Sequence, residues 1–160
     1  MNKDNEIGFL RTYKDFIYYF NMLERNIGYC LRHCLNLLNN MKTDKWLNVS
    51  FDSKIKRILS LAKEVGIDDK FSAWSSNIND CRHLRNIVTH GEWEWRGFSD
   101  KPIQFHAPEI SNGKGEFTVA EFEAKLTFLK NVSDTFREIR TPLEIACQKY
   151  AQPANQADGK

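Results

Sequence analysis

Residues 81–95 read CRHLRNIVTHGEWEW and gather two arginines, two histidines and two tryptophans. The whole chain holds only four histidines and four tryptophans, so half of each falls here. Arg85, Asn86 and His90 are the types that could do chemistry. A histidine exchanges protons near neutral pH, because its unperturbed pKa is about 6.5. An arginine presents a rigid fork of donors matched to phosphate oxygens. Together they suit cleavage of RNA by its own 2′-hydroxyl, where one proton leaves the hydroxyl, another reaches the departing 5′-oxygen, and charge builds on the phosphate. Such a reaction needs no metal or other cofactor, and the sequence shows no acidic cluster at ligand spacing. Residues five apart on a regular helix differ by about 140° in azimuth. With His90 as the last helical residue and Gly91 as a left-handed cap, the chain is expected to turn there and bring Arg85 and His90 toward one cleft.

The run Arg85-Asn86-Ile87-Val88-Thr89-His90 resembles the motif of the HEPN superfamily. Its ribonucleases carry an arginine, a polar residue directly after it and a histidine a few positions on. Asn86 fills the polar slot, and Gly91 follows as in many members. The arrangement is similar too: a long first helix, the motif near the end of a later helix, and a long final helix, over most of residues 5–150. The resemblance implies an all-α, HEPN-like helical bundle of four to five helices. It also implies a metal-independent endoribonuclease leaving 2′,3′-cyclic phosphate ends, in a toxin–antitoxin or defence setting with an antitoxin partner. A homodimer with its motifs at the interface is implied as well. The sequence offers no second histidine in a matching motif, and one imidazole cannot readily be base and acid on opposite sides of a phosphate. Two alternatives stand beside this. One is a non-catalytic HEPN-like module that binds a nucleotide, RNA or protein; the other is a helical interaction domain in which Arg85 and His90 only bridge helices.

Other residues are candidates for support. Glu24 sits in an apolar stripe with Phe20, Leu23, Ile27 and Leu31, where a carboxylate must find a partner. Either it reaches Arg85 and orients the guanidinium, or it makes a surface pair toward Arg25 or Arg32 at the wet edge of the stripe. Asn86 either holds Arg85 or the phosphate, or caps a local backbone group. Arg82 and His83 read either as solvated neighbours or as RNA phosphate contacts, a lysine such as Lys54 is a further candidate phosphate contact, and His106 reads as surface or loop packing. Trp93 and Trp95 either stack unpaired bases of single-stranded RNA or close the core beneath the loop. In a dimer, they and Phe98 would be aromatic anchors. Cys30 and Cys34, one turn apart around His33, read as core thiols rather than a metal pair.

These residues need a scaffold. The chain has 160 residues, a net charge of +2, 41% hydrophobic and 28% charged residues. That is the profile of one globular domain over residues 1–150, with no global basic field to announce a nucleic acid. The start MNKDNEIGF has no signal-peptide core, no apolar run is long enough for a membrane, and four cysteines without a secretory signal read as reduced thiols in a cytoplasm. Helical periodicity predicts helices over residues 5–39, about 52–65, about 69–90 and from 118 to near 150. Gly66 is the expected stop of the second, Thr118 and Glu121 form a capping box, and Pro142 is expected to kink the last helix or start a final piece. NNMKTDKWLN reads as a polar connection, residues 93–117 as a long loop with at most a short hairpin, and residues 151–160 as a disordered tail.

Overall fold

The structure is a computed structural model and describes residues 3–39 and 44–152. The fold is all-α in class with a small sheet added. The helices are α1 (Lys3–Asn39), α2 (Lys45–Asn48), α3 (Phe51–Glu64), α4 (Asp69–His90) and α5 (Val119–Ala151). Between α4 and α5 lie β1 (Glu92–Trp95), β2 (Ile103–His106) and β3 (Lys114–Phe117). Of the expected tail over residues 151–160, Ala151 instead closes α5, and residues 153–160 lie outside the described residues. No helix is long and apolar enough to cross a membrane among the described residues.

Contacts group the chain into two compact units, Met1–Asn21 with Ser76–Ser133 and Met22–Ser75 with Asp134–Lys160. The first unit is built on aromatic burial. Phe9, Phe16, Phe20 and Phe122 are fully enclosed. Phe9 is the hub, with ring centres 5.2 Å from Trp93, 5.3 Å from Phe122 and 6.2 Å from Phe105. The second unit buries Leu23, Ile27, Leu31, Ile58, Leu61 and Trp74, and Trp74 packs 5.3 Å from Phe136. Each fully buried aliphatic or aromatic side chain contributes about 1.5–3 kcal/mol, so these faces hold the long helices in place. Leu59 and Ile139, in phase with the core stripes, are only half-buried.

The helix ends follow from local chemistry. α3 starts at Ser50, whose hydroxyl accepts from the Ser53 amide. It stops at Gly66, which takes φ +75°. There Ile67 N–H reaches the Ala62 carbonyl and Gly66 N–H reaches that of Lys63, the paired bonds of a Schellman stop. α5 opens on the reciprocal box: Thr118 N–H donates to Glu121 Oε2 at 2.8 Å, and Glu121 N–H donates to Thr118 Oγ1 at 3.0 Å. The first of these bonds, with Lys101 beside it, holds the Glu121 carboxyl below the usual carboxylate range.

Four expectations need correction. The polar connection contains a single helical turn, α2. The long excursion is a three-stranded antiparallel sheet in the order β1-β2-β3. Its register sets Glu92 opposite His106 and His106 opposite Lys114. Alternation drives it, because Ile103 and Phe105 go into the core while Gln104 and His106 face outward. Pro142 does not start a final helical piece; it lies within a continuous α5, where it leaves the Glu138 carbonyl without its helical donor. Gly91 is not a left-handed cap, since Gly66 is the glycine with positive φ among the described residues.

Thr118→Ala should lower stability by about 1 kcal/mol, the usual cost of an N-cap. The check is urea denaturation at neutral pH, where Glu121 is charged. Repeating it below the carboxylate range should weaken parent and variant alike and leave most of the difference, because the amide of residue 118 that depresses the Glu121 pKa survives the substitution.

Candidate functional site

α4 stays helical through His90, so the expected turn that would swing His90 toward Arg85 is absent. Asn86 closes the gap instead. Arg85 Nη1 donates to Asn86 Oδ1 at 3.2 Å, and Asn86 stands about 40° from His90 on the helical wheel. Of the two readings of Asn86, the structure shows the one in which its amide holds Arg85. The guanidinium carbon also lies 5.4 Å from the centre of the Phe20 ring, a cation–π contact that fixes the half-buried stem. His90 is exposed. The same wheel places His83 about 20° from His90, so His83, Asn86 and His90 line one face. His83 is exposed as well. Its spacing of seven residues from His90 was visible in the sequence, but a reading centred on the Arg–His motif passes over it.

Gly91 joins this face to the sheet by having no side chain. A Cβ there would lie 2.4 Å from the Ile87 carbonyl oxygen and 3.2 Å from the His106 carbonyl group. Its amide donates to Ile87 at 2.8 Å. The end of β2 therefore packs directly on the end of α4. His106 is exposed, on the outer sheet face.

Trp93 and Trp95 both pack on Phe9, at 5.2 Å and 6.3 Å between ring centres. They close the core of the first unit, and Trp93, at 38% exposure, keeps enough free surface to meet a base. Phe98 is fully exposed in the turn between β1 and β2. Arg82 is half-buried on α4.

Glu24 is the clearest departure. Its Oε1 accepts from Lys54 Nζ at 2.9 Å, so the carboxylate expected at Arg85 instead neutralises a lysine of α3. Lys54 is 3% exposed, and this burial removes it from the phosphate contacts. Gly28 permits the arrangement, because a Cβ there would approach the Trp46 carbonyl to 3.1 Å and the Lys54 stem to 3.5 Å. A buried ammonium must be paired, and α1 supplies the partner.

The four cysteines are free and buried. Cys147 hydrogen-bonds Cys34, which pushes the Cys147 thiol up. Burial, reinforced by Asp80, pushes Cys81 up to about 12. Thiols so raised are poor nucleophiles at neutral pH. Among the described residues, no group of three or more His, Cys, Asp or Glu could hold a metal ion.

Comparison with protein-family models, curated proteins and solved structures finds no match to this chain.

Glu24→Ala should destabilise the fold by about 1–3 kcal/mol, because it strands the buried Lys54 ammonium. Denaturant midpoints measure it. A variant as stable as the parent would show that Lys54 finds water instead.

Proposed function

We propose that this chain is a metal-independent endoribonuclease that cleaves single-stranded RNA by attack of the 2′-hydroxyl, leaving a 2′,3′-cyclic phosphate. The carrying observation is that Asn86, which shares a helix face with the exposed His90, accepts a hydrogen bond from the Arg85 guanidinium. In this reading Arg85 donates to the non-bridging phosphate oxygens, where charge grows in the transition state. Asn86 positions Arg85, and His90 moves a proton at one of the two bridging oxygens. Trp93 offers its exposed surface to a base next to the cleavage point. The motif's resemblance to HEPN ribonucleases supports the assignment and suggests a toxin–antitoxin or defence role with an antitoxin partner. It also suggests a homodimer in which two copies of the motif meet.

The test is cleavage of a labelled single-stranded RNA. His90→Ala should lower the rate by about 10²–10⁴-fold with an unchanged melting temperature, and EDTA should leave the parent rate intact. Undiminished cleavage by folded His90→Ala protein would refute the reading, and binding without cleavage by either protein would favour the non-catalytic alternative.

RNA affinity should weaken only gently with salt. Few cations are available for phosphate here, and each contact contributes a log–log slope of about −0.7 on single strands, giving roughly −1 to −3 in total. A slope steeper than about −6 would demand a broad basic groove.

A further inference from the structure

We infer that His83 is the second proton-transfer group of this site, so that one chain carries both the acid and the base. The inference rests on the ribonuclease reading and goes beyond it by completing the machinery without a second copy. In-line cleavage needs two groups on opposite sides of phosphorus. From one imidazole nitrogen, through the attacking and leaving oxygens, to the other nitrogen is on the order of 8–9 Å, counting two hydrogen bonds of about 2.8 Å. His83 and His90 are seven residues apart on a regular helix, hence about 10.5 Å along the axis and within about 20° of one another. Both are exposed, so each imidazole is free to lean inward and take up the difference. Asn86 lies between them, three residues after His83 and four before His90, and it is Asn86 that holds the Arg85 guanidinium. At Asn86 one guanidinium donor thus reaches the face that the two histidines share, although Arg85 itself stands about 140–160° from them on the wheel.

The surroundings of His83 favour a nucleic-acid backbone on that side. His83 borders a groove of about 640 Å³ that also includes Lys114, Lys125, Phe128 and Asp80. The two ammonium groups come from β3 and α5 and can receive a neighbouring phosphate, while Phe128 supplies apolar surface for a sugar or base. The reaction balances without a co-reactant. One neutral imidazole takes the 2′-hydroxyl proton as the O2′–P bond forms; the other, protonated, gives its proton to O5′ as the P–O5′ bond breaks. The products are a 2′,3′-cyclic phosphate and a free 5′-hydroxyl, and proton exchange with water resets the pair.

The experiment uses the full chain, a labelled single-stranded RNA and the variants His83→Ala and His90→Ala, with melting curves as the folding control. Each variant should lose about 10²–10⁴-fold in rate, and the double variant should lose little more than either, because the two act as a unit. The parent's bell-shaped pH–rate profile should lose one limb in each single variant. Mixing the two single variants should restore nothing. His83→Ala cleaving at the parent rate while His90→Ala is dead would overturn this inference and leave the ribonuclease reading standing. A slower His83→Ala with both limbs intact would reduce His83 to an RNA contact, and recovered activity on mixing would place the two histidines in different chains. If both variants cleave like the parent, the ribonuclease reading falls with it.

Discussion

The end of α4 and everything attached to it depend on a missing methyl group. At Gly91 a side chain would collide with the Ile87 carbonyl and press on the backbone of His106. Without one, the helix keeps its last hydrogen bond and the chain passes straight into a strand. That close approach lets β2 seat itself against the helix end, and β2 in turn carries Ile103 and Phe105 into the core. The histidine that ends the helix therefore stands on a rigid junction rather than on a loose loop. Backbone crowding of this kind calls for glycine whatever its φ.

Around that junction the charged groups divide by solvation. Arg85 keeps its cation half-buried, resting its planar head near an aromatic ring and lending one donor to a neighbouring amide. Its remaining donors are what a phosphate would use. Lys54 is the opposite case: its ammonium is enclosed and spent on Glu24. Two cations that look equally available in a sequence thus differ completely in what they can offer a ligand. A half-buried guanidinium on a polar scaffold can serve, whereas a lysine sealed into a pair cannot.

How much could be read in advance follows the same physics. α3 and α4 were legible almost to the residue, because apolar periodicity over several turns is reinforced by caps such as Gly66. The capping box at Thr118 was legible because both partners lie within four residues. The sheet was not: four-residue strands such as EWEW and KGEF carry too little alternation to stand apart from a loop rich in glycine and proline. The partner of Glu24 was hidden by distance, since Lys54 lies 30 residues on and only packing brings them together. Within the candidate site, Arg85, Asn86 and His90 stood out as a motif. How Arg85 is held did not, because it depends on the side-chain geometry of adjacent residues rather than on spacing along the helix.

The alternation within β1 carries a last implication. Trp93 and Trp95 point toward Phe9 while Glu92 and Glu94 face the other way. Inserting or deleting one residue between His90 and Glu92 would exchange the two sets, turning indoles into water and carboxylates onto buried rings. The chain is therefore counted, residue by residue, from its exposed imidazole to its aromatic hub. Length polymorphism at this junction would be purged by folding alone, whereas the turn that bears Phe98, outside the strand register, is free to vary in size.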